Sequence, residues 1–154
     1  MEIQIPGRTS ISFAHLVLDY NGTIARDGQV LWDITPALQQ LSEQLSIHVL
    51  TADTFGTVHE QCAHLPVAVE TFPSGTAAES KRDIVGNLEG GVCCFGNGYN
   101  DRLMFEAADL SIGIIEQEGM STALITCADV VVTRAKDAFE LLVNPQRLVA
   151  TLRG

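Results

Sequence analysis

Short apolar runs alternate with helical patterns along most of the chain. The runs show little polar alternation, which is typical of strands covered on both faces of a sheet. The predicted strands are Ile11–Leu18, Ile47–Leu50, Val67–Val69, Val92–Phe95, Leu110–Ile115 and Val130–Thr133. The segment Glu2–Ile5 predicts an additional edge strand or ribbon.

Helical patterns fill the intervals between these runs. Thr35 is predicted to cap a helix that has Pro36 at its first position and leucines along one face. The sequence from Thr76 to Glu79 matches a capping box, which predicts the start of another helix. Asn100 is predicted to cap a third. The predicted helices after the first are 76–88, 101–108 and 136–143.

Strands that alternate with helices imply right-handed crossovers and a parallel sheet. We therefore predict an α/β fold with a doubly wound, mostly parallel, Rossmann-like sheet in a three-layer α/β/α arrangement. No repeat, low-complexity tract or linker divides the chain, so residues 1–154 are predicted to form a single domain. Ligands of such sheets bind beyond the carboxyl ends of the strands, which directs attention to Asp19, Thr51 and Gly96–Asp101.

Composition narrows the range of partners. The 154 residues are 46% hydrophobic and 18% charged, a balance typical of globular proteins. The net charge of −10, with lysine only at positions 81 and 136, opposes binding to nucleic acid and to anionic membranes. No apolar run approaches the roughly 18 residues of a membrane span, and no signal-peptide pattern is visible.

The four cysteines bear on the compartment of the protein. Cys62, Cys93, Cys94 and Cys127 lie in apolar segments and are interpreted as reduced core residues. We therefore expect a cytoplasmic protein.

Asp19 is the first candidate for chemistry. It ends an apolar run and is followed closely by Asn21-Gly22. Such a residue is common in turns, whereas a carboxylate beside exposed backbone amides can also act as a nucleophile toward phosphorus. The segment by itself leaves both interpretations open. Thr51, at the end of the next long strand, is equally ambiguous because threonines are common at strand ends.

Two later features are more specific. Lys81 lies on the apolar stripe of its helix, together with Ala77 and Val85, so its ammonium group is predicted to meet a buried anion. Asn97 and Asp101 follow a buried strand in a glycine-containing loop that leads directly into a helix. Their oxygens suit a hard cation such as Mg²⁺.

Taken together, these motifs resemble the haloacid dehalogenase-like (HAD) superfamily and, within it, the phosphorylation domain of P-type ATPases. The resemblance runs from about Phe13 to Leu152. The segment Asp19–Thr23 is similar to the first motif of the superfamily, Thr51 to the second, Lys81 to the third and Gly96–Asp101 to the fourth. The segment MSTALITCADVVV also resembles the one that follows the fourth motif in the pumps.

The resemblance implies a phosphoryl-transfer site in which Asp19 is phosphorylated with the help of Mg²⁺. Its implied catalytic residues are Asp19, Asn21, Thr51 and Lys81. The implied phosphate-binding residues are Asn21, Gly22, Thr51, Ala52, Lys81 and Asn100. The implied metal ligands are Asp19, the backbone carbonyl of Asn21, Asn97 and Asp101, the last directly or through water.

Two departures from the family pattern qualify this expectation. Asn21 stands where phosphatases of the superfamily carry an aspartate that serves as general acid, and its absence predicts slow turnover of alkyl phosphates. Asn97 stands where the family has a metal-binding aspartate, which predicts weaker metal affinity. The pair of changes resembles a soluble branch related to the P-type ATPases.

The chain has no room for a cap domain or a nucleotide-binding insertion between its motifs, so ion transport by this chain alone is excluded. We expect an open site, with a hairpin flap near Asp27-Gly28, that takes a large or protein phosphosubstrate or is covered by a neighbour in an oligomer. The leading hypothesis is a Mg²⁺-dependent phosphohydrolase. The alternative is a regulatory module of the same fold with weakened catalysis. A receiver domain, a carbon–halogen hydrolase and a dinucleotide-binding protein fit the motif order less well.

Overall fold

The computed structural model describes residues 1–154. The strands are β1 (Glu2–Ile3), β2 (Ile11–Ser12), β3 (His15–Asp19), β4 (Ala25–Arg26), β5 (Gln29–Val30), β6 (Ser46–Thr51), β7 (Ala68–Thr71), β8 (Val92–Gly96), β9 (Leu110–Ile114) and β10 (Val130–Val132). The α-helices are α1 (Thr35–Ser42), α2 (Val58–Cys62), α3 (Ala77–Asn87), α4 (Arg102–Ala107), α5 (Ala135–Val143) and α6 (Pro145–Leu152). None of the helices is long and apolar enough to cross a lipid bilayer.

Six parallel strands form the central sheet, in the order β10-β9-β8-β3-β6-β7. The first strand of this sheet along the chain is β3, and β6 and β7 follow on one side of it. The chain then returns to the other side of β3 and adds β8, β9 and β10 in turn. The strand order therefore reverses at β3, and this switch point opens a crevice at the carboxyl ends of the strands. The predicted doubly wound parallel sheet is confirmed.

Alternation along β3 divides the core between the two faces of the sheet, because successive side chains of a strand point to opposite sides. Leu16 and Leu18 belong to a large cluster that includes Leu38 of α1 and Phe139 of α5. The second cluster lies on the other face, where Val17 packs with residues of β6, α3 and α4. Its buried members are Val17, Leu50, Val85, Val92, Cys94, Met104, Phe105 and Leu124. The predicted three-layer arrangement is therefore confirmed.

Helix starts differ from the predictions. Thr35 is the first residue of α1 and makes no capping hydrogen bond, because a 3-10 turn over Trp32–Ile34 already precedes it. Thr76 also fails to form the predicted capping box: it ends a 3-10 turn, and its hydroxyl donates to the Pro73 carbonyl. In the third case Asn100 lies inside a 3-10 turn, and α4 begins at Arg102. Each difference arises from a preceding turn that sequence spacing does not reveal.

Other elements were divided or missed. The run Ile11–Leu18 contains two strands, of which β2 pairs antiparallel with β1 and β3 enters the central sheet. This ribbon confirms the extra strand predicted over Glu2–Ile5. Helix α2 has only five residues, too few for a periodic pattern, and α6 follows α5 after a single residue, which hides the boundary.

The segments 6–8 and 152–154 lie side by side below the sheet. The Gly154 amide donates to the Pro6 carbonyl at 3.3 Å, and the Arg8 guanidinium donates to the Leu152 carbonyl at 3.4 Å. The loop between β1 and β2 and the last residues of the chain therefore meet at one place on the surface.

Candidate active site

Asp19 is the last residue of the central strand β3, so the sheet itself aims its carboxylate into the crevice. The residue is buried, with 7% of its surface exposed. One carboxylate oxygen, Oδ1, lies 2.5 Å from the Lys81 ammonium, and the other, Oδ2, accepts a hydrogen bond of 3.0 Å from the Thr23 hydroxyl. The carboxylate is thus held in one orientation by two side chains that come from different elements.

Lys81 lies behind Asp19 and not in the opening of the site. Its ammonium group is fully buried between Asp19 and Asp101, 2.5 Å and 2.6 Å from their nearest oxygens. Burial alone would lower the pKa of Lys81, but the charges of Asp101 and Asp19 outweigh burial and raise the pKa. The predicted buried charge partner of this lysine therefore consists of two carboxylates.

Asp101 fixes the loop that follows β8. One of its oxygens accepts from Lys81, and the other accepts from the backbone amides of Asn97 and Gly98, at 3.0 Å and 2.8 Å. Burial, with a smaller contribution from the neighbouring Asp19, raises the pKa of Asp101 to about 6 against the opposing effects of Lys81 and the Gly98 amide. Because both oxygens are engaged and the residue is fully buried, the structure shows Asp101 supporting the site from behind.

Asn97 is oriented by the loop that follows β9. Its side-chain nitrogen donates to the Gly119 carbonyl at 2.9 Å, which turns the amide oxygen toward the Thr23 hydroxyl, 3.3 Å away. Thr23 is fully buried between this oxygen and Asp19. Sequence reasoning gave Thr23 no role of its own, although its place four residues after Asp19 in the first motif was a usable signal.

The turn after Asp19 requires glycine at position 22. Gly22 has a φ of +76°, and a Cβ at this position would collide with the Asn97 side-chain amide. Its backbone amide donates to the Ala25 carbonyl at 2.7 Å and is therefore engaged within the turn. The Asn21 carbonyl, in contrast, accepts no hydrogen bond from the protein.

Thr51 and Ala52 form the opposite side of the site, at the end of β6. The Thr51 hydroxyl oxygen accepts from the Asp53 amide at 3.0 Å, so its proton is free to donate elsewhere. The Ala52 amide has no acceptor within the protein. Asp53 holds a left-handed conformation, with φ of +46°, and caps α2 by accepting from the amides of Thr57 and Val58. This corner leaves two hydrogen-bond donors facing the crevice.

A cavity of about 230 Å³ lies in front of the Asp19 carboxylate. Its lining residues are Asp19, Asn21, Thr51, Ala52, Thr54, Asn97, Gly98 and Asn100. The structure thus brings together six of the predicted site residues around one opening, and it places Lys81, Asp101 and the Gly22 amide behind that opening. No cluster of three or more His, Cys, Asp or Glu side chains with metal-binding geometry is present.

The hairpin β4–β5 forms a flap beside the cavity, and Gly28 at its tip is anchored by three side chains. Its carbonyl accepts from the Tyr20 hydroxyl at 2.9 Å and from the Thr57 hydroxyl at 2.8 Å, while its amide donates to the Asn21 side-chain oxygen at 3.1 Å. Burial raises the pKa of Tyr20 to about 12, so this residue remains a donor at neutral pH. The predicted hairpin at Asp27-Gly28 is confirmed.

Comparison with known proteins gives one sequence relative. No model of a known protein family matches the chain. An uncharacterised protein of Methanocaldococcus jannaschii is 44% identical over 62 residues, a stretch that covers 40% of this chain and 67% of that relative.

Solved structures share the fold at lower identity. The 3-deoxy-D-manno-octulosonate 8-phosphate phosphatase of Moraxella catarrhalis, in complex with magnesium, phosphate and KDO, has a TM-score of 0.67 at 14% identity, covering 92% of this chain and 94% of that one. The cobalt-bound phosphatase of Haemophilus influenzae has a TM-score of 0.66 at 13% identity, covering 91% and 89%. A zinc-transporting PIB-type ATPase in the E2P state has a TM-score of 0.62 at 25% identity, covering 79% of this chain but only 20% of the ATPase.

The sequence match shows the family of this chain, and the structural matches show its fold. The chain belongs to the family of the uncharacterised Methanocaldococcus protein, and it has the fold of the HAD-like hydrolases and of the P-type ATPase phosphorylation domain.

Proposed function

We propose that this chain is a Mg²⁺-dependent phosphohydrolase that works through a phosphoryl group carried on Asp19. The observation that carries the proposal is the placement of the Asp19 carboxylate: it ends the central strand, faces the cavity, and is paired with the buried Lys81. A carboxylate that is fixed in this way and paired with a cation is suited to nucleophilic attack on phosphorus. Catalysis is assigned to one domain, residues 1–154, without a cap.

The oxygens in front of Asp19 fit a magnesium ion. Asp19 Oδ2 and the Asn97 amide oxygen both converge on the Thr23 hydroxyl, and the Asn21 carbonyl accepts no hydrogen bond from the protein. Carboxylate, amide and carbonyl oxygens are the ligands that Mg²⁺ accepts. Asp19, Asn21 and Asn97 would hold the ion directly, and Asp101 would support it through the loop. Bound there, the metal supplies positive charge that offsets the carboxylate and the phosphoryl oxygens.

Phosphate binding is assigned to the other wall of the cavity. The free proton of the Thr51 hydroxyl, the free Ala52 amide and the Asn100 side chain offer donors to phosphoryl oxygens. Lys81 acts on the phosphate through Asp19, because its ammonium group is buried behind the carboxylate. Such fixed donors stabilise charge that develops during phosphoryl transfer.

The reaction has two steps. In the first, an Asp19 oxygen forms a bond to phosphorus, the bond from phosphorus to the leaving oxygen breaks, and its electron pair departs with that oxygen. In the second, water attacks the phosphorus and the bond to Asp19 breaks, which restores the carboxylate. The proton from water ends on the released phosphate.

Asn21 determines which leaving groups can depart from phosphorus in this site. It stands at the cavity where a general acid is expected, and an amide cannot give up a proton. General acid catalysis typically contributes about 10² to 10⁴ in rate. The proposed enzyme therefore hydrolyses acyl and aryl phosphates, whose leaving groups depart without protonation, far better than alkyl phosphates.

Hydrolysis of acetyl phosphate, phenyl phosphate and glycerol phosphate at saturating Mg²⁺ tests the proposal. The variants are Asp19→Asn, which keeps the shape but removes the nucleophile, and Asn21→Asp, which keeps an acceptor for the Gly28 amide and restores the acid. We expect turnover that is lost in Asp19→Asn, and a gain of at least about 10² on glycerol phosphate in Asn21→Asp.

A regulatory module with weakened catalysis is the second candidate, favoured by the two amides at Asn21 and Asn97. It predicts binding of Mg²⁺ and inorganic phosphate without turnover in the wild type or in Asn21→Asp. Titration calorimetry with these two ligands, run beside the hydrolysis assays, separates the candidates.

A further inference from the structure

We propose that the leaving group of the substrate is a neutral aromatic ring, held at the mouth of the cavity by Phe55 and Tyr99. These two side chains are called the aromatic rim below. The inference rests on the proposed function and names the substrate class of that same site: an aryl phosphate with no second anionic group.

The aromatic rim flanks the nucleophile on both sides. Phe55 follows Thr54, which lines the cavity beyond β6, and Tyr99 lies between Gly98 and Asn100, which line it beyond β8. Strands β6 and β8 are the two neighbours of β3, whose last residue is Asp19. The two rings are therefore attached on opposite sides of the position where the phosphoryl group reacts.

Both rings are exposed, Phe55 by 53% and Tyr99 by 70%. Only one other aromatic residue of the chain, Trp32, is comparably exposed, and unlike Phe55 and Tyr99 it is not adjacent in the chain to a residue that lines the cavity. Apolar surface left in water beside a cavity is typical of a ligand-binding site. Aromatic side chains also gain from edge-to-face or stacked contact with another ring, beyond the burial of area.

Contact with the flap holds Phe55 at the mouth. A Cβ built on Gly28 would lie 2.9 Å from the Phe55 Cβ, so the phenylalanine packs directly against the glycine at the flap tip. Gly28 is itself held by Tyr20, Asn21 and Thr57. The ring is thus supported in advance, which lowers the entropy lost when a ligand binds.

Charge argues that the leaving group is neutral. Asp19 is the only charged residue among those that line the cavity, and Lys81 is buried with both its partners. Arg102, the cation nearest in sequence to the loop beyond β8, is paired with Glu106 at 2.9 Å. Arg26 lines a different cavity, formed by the flap. A second anionic group would therefore meet no free cation and would add to the net charge of −10.

The chemistry of the leaving group also indicates an aryl phosphate. A phenolic oxygen has a pKa of about 10, so it leaves as phenolate without a proton from the enzyme. The bond from phosphorus to the phenolic oxygen breaks, its electron pair goes to that oxygen, and solvent water later protonates it. A site that has Asn21 in place of an acid handles this leaving group without assistance.

The first measurement is kcat/KM at saturating Mg²⁺ for phenyl phosphate, 4-carboxyphenyl phosphate and acetyl phosphate. In Phe55→Ala and in Tyr99→Ala we expect the ratio of phenyl phosphate to acetyl phosphate to fall about tenfold. Trp32→Ala, the matched control, keeps the ratio of the wild type. The wild type is expected to prefer phenyl phosphate to its carboxylated analogue. An unchanged ratio in both rim variants would overturn the inference while Asp19-dependent hydrolysis still supports the proposed function.

A binding measurement tests the aromatic rim without depending on turnover. Calorimetry compares phenylphosphonate with methylphosphonate, neither of which is hydrolysed, in the Mg²⁺-loaded protein. We expect tighter binding of phenylphosphonate in the wild type and loss of that preference in the rim variants. Equal affinities in the wild type would refute the aromatic rim even if no substrate were turned over.

A capped phosphotyrosine peptide with neutral flanking residues distinguishes two sources of the same aryl group. Turnover faster than that of phenyl phosphate assigns the rim to a tyrosine side chain on a protein. Slower turnover assigns it to a small free aryl phosphate. Either result supports an aromatic leaving group.

Discussion

Lys81 shows at the scale of one residue how a charge can be both buried and useful. Its ammonium group lies between two carboxylates that come from strand β3 and from the loop after β8. With the lysine in place, one positive charge lies between the two carboxylates and offsets part of their repulsion. Without it, Asp19 and Asp101 would repel each other in a region with little access to water.

We predict that Lys81→Met lowers the free energy of unfolding by about 3–5 kcal/mol, because it leaves buried carboxylates without a partner. Urea denaturation measures the change. Lys136→Met is the matched control, since Lys136 is half exposed and 3.8 Å from Glu140; its effect is expected to stay within about 0.5 kcal/mol. Equal effects of the two variants would contradict the prediction.

Gly22 offers a second test at this scale. Gly22→Ala and the control Gly7→Ala both place alanine at a positive φ, +76° and +80°, and each is expected to cost about 1 kcal/mol of stability. Only at position 22 does the new methyl group displace the Asn97 amide. We therefore expect Gly22→Ala alone to weaken Mg²⁺ binding, by at least about tenfold, as measured by titration calorimetry. Similar Mg²⁺ affinities in the two variants would show that Asn97 does not hold the ion.

At the scale of elements, the flap β4–β5 depends on side chains from outside it. Its two strands contain only two residues each, too few to be stable alone, and its tip is tied down by Tyr20, Asn21 and Thr57. The flap is therefore held in one position beside the site as long as these bonds persist.

Tyr20→Phe removes one of the three bonds to Gly28 and is expected to speed amide hydrogen exchange in residues 25–30 about fivefold, which corresponds to about 1 kcal/mol. Mass spectrometry of the exchanged peptide measures this. Tyr99→Phe is the control, because the Tyr99 ring is exposed, and exchange of the flap should not change. Exchange that is equally fast in the wild type and in Tyr20→Phe would mean that the flap opens without breaking this bond.

Elements also show where sequence reasoning succeeds and where it stops. Strands β8 and β9 were predictable because all five residues of each are buried, which leaves two short runs without a charged residue. The burial of Lys81 beside an anion was predictable because a lone cation on an apolar stripe needs a buried partner of opposite charge. The bond from Gly28 to Asn21 and the orientation of the Asn97 amide were not, because each joins segments whose approach depends on the completed fold.

At the scale of the whole molecule, a chain of polar groups links three strands of the sheet. His15 of β3 lies 3.0 Å from the Glu89 carbonyl through Nε2 and 3.1 Å from His48 of β6 through Nδ1. The remaining His48 nitrogen is buried, without a hydrogen bond, 3.8 Å from Glu70 of β7. Burial lowers the pKa of His48, His15 adds to this, and Glu70 opposes it.

This arrangement predicts that the fold loses stability as the pH falls below about 6.5, the ordinary pKa of histidine. In that range the unfolded chain binds a proton at His48 more readily than the folded chain does, so acid favours unfolding. Urea midpoints at pH 7.5 and 5.5 measure the loss. We expect His48→Gln to reduce the difference, and His59→Gln, at an exposed position, to leave it as it is. A His48→Gln protein with the full wild-type difference would assign the acid sensitivity elsewhere.

The contacts between residues 6–8 and residues 152–154 have a consequence for the order of folding. They join the loop between β1 and β2 to the end of α6, and Arg8 and Leu152 are 144 positions apart in the chain. Contacts between residues so distant in sequence form only after the intervening chain has been brought together, because closing so long a loop costs entropy. This loop therefore meets its neighbour only when the last helix is in place, at a late stage of folding.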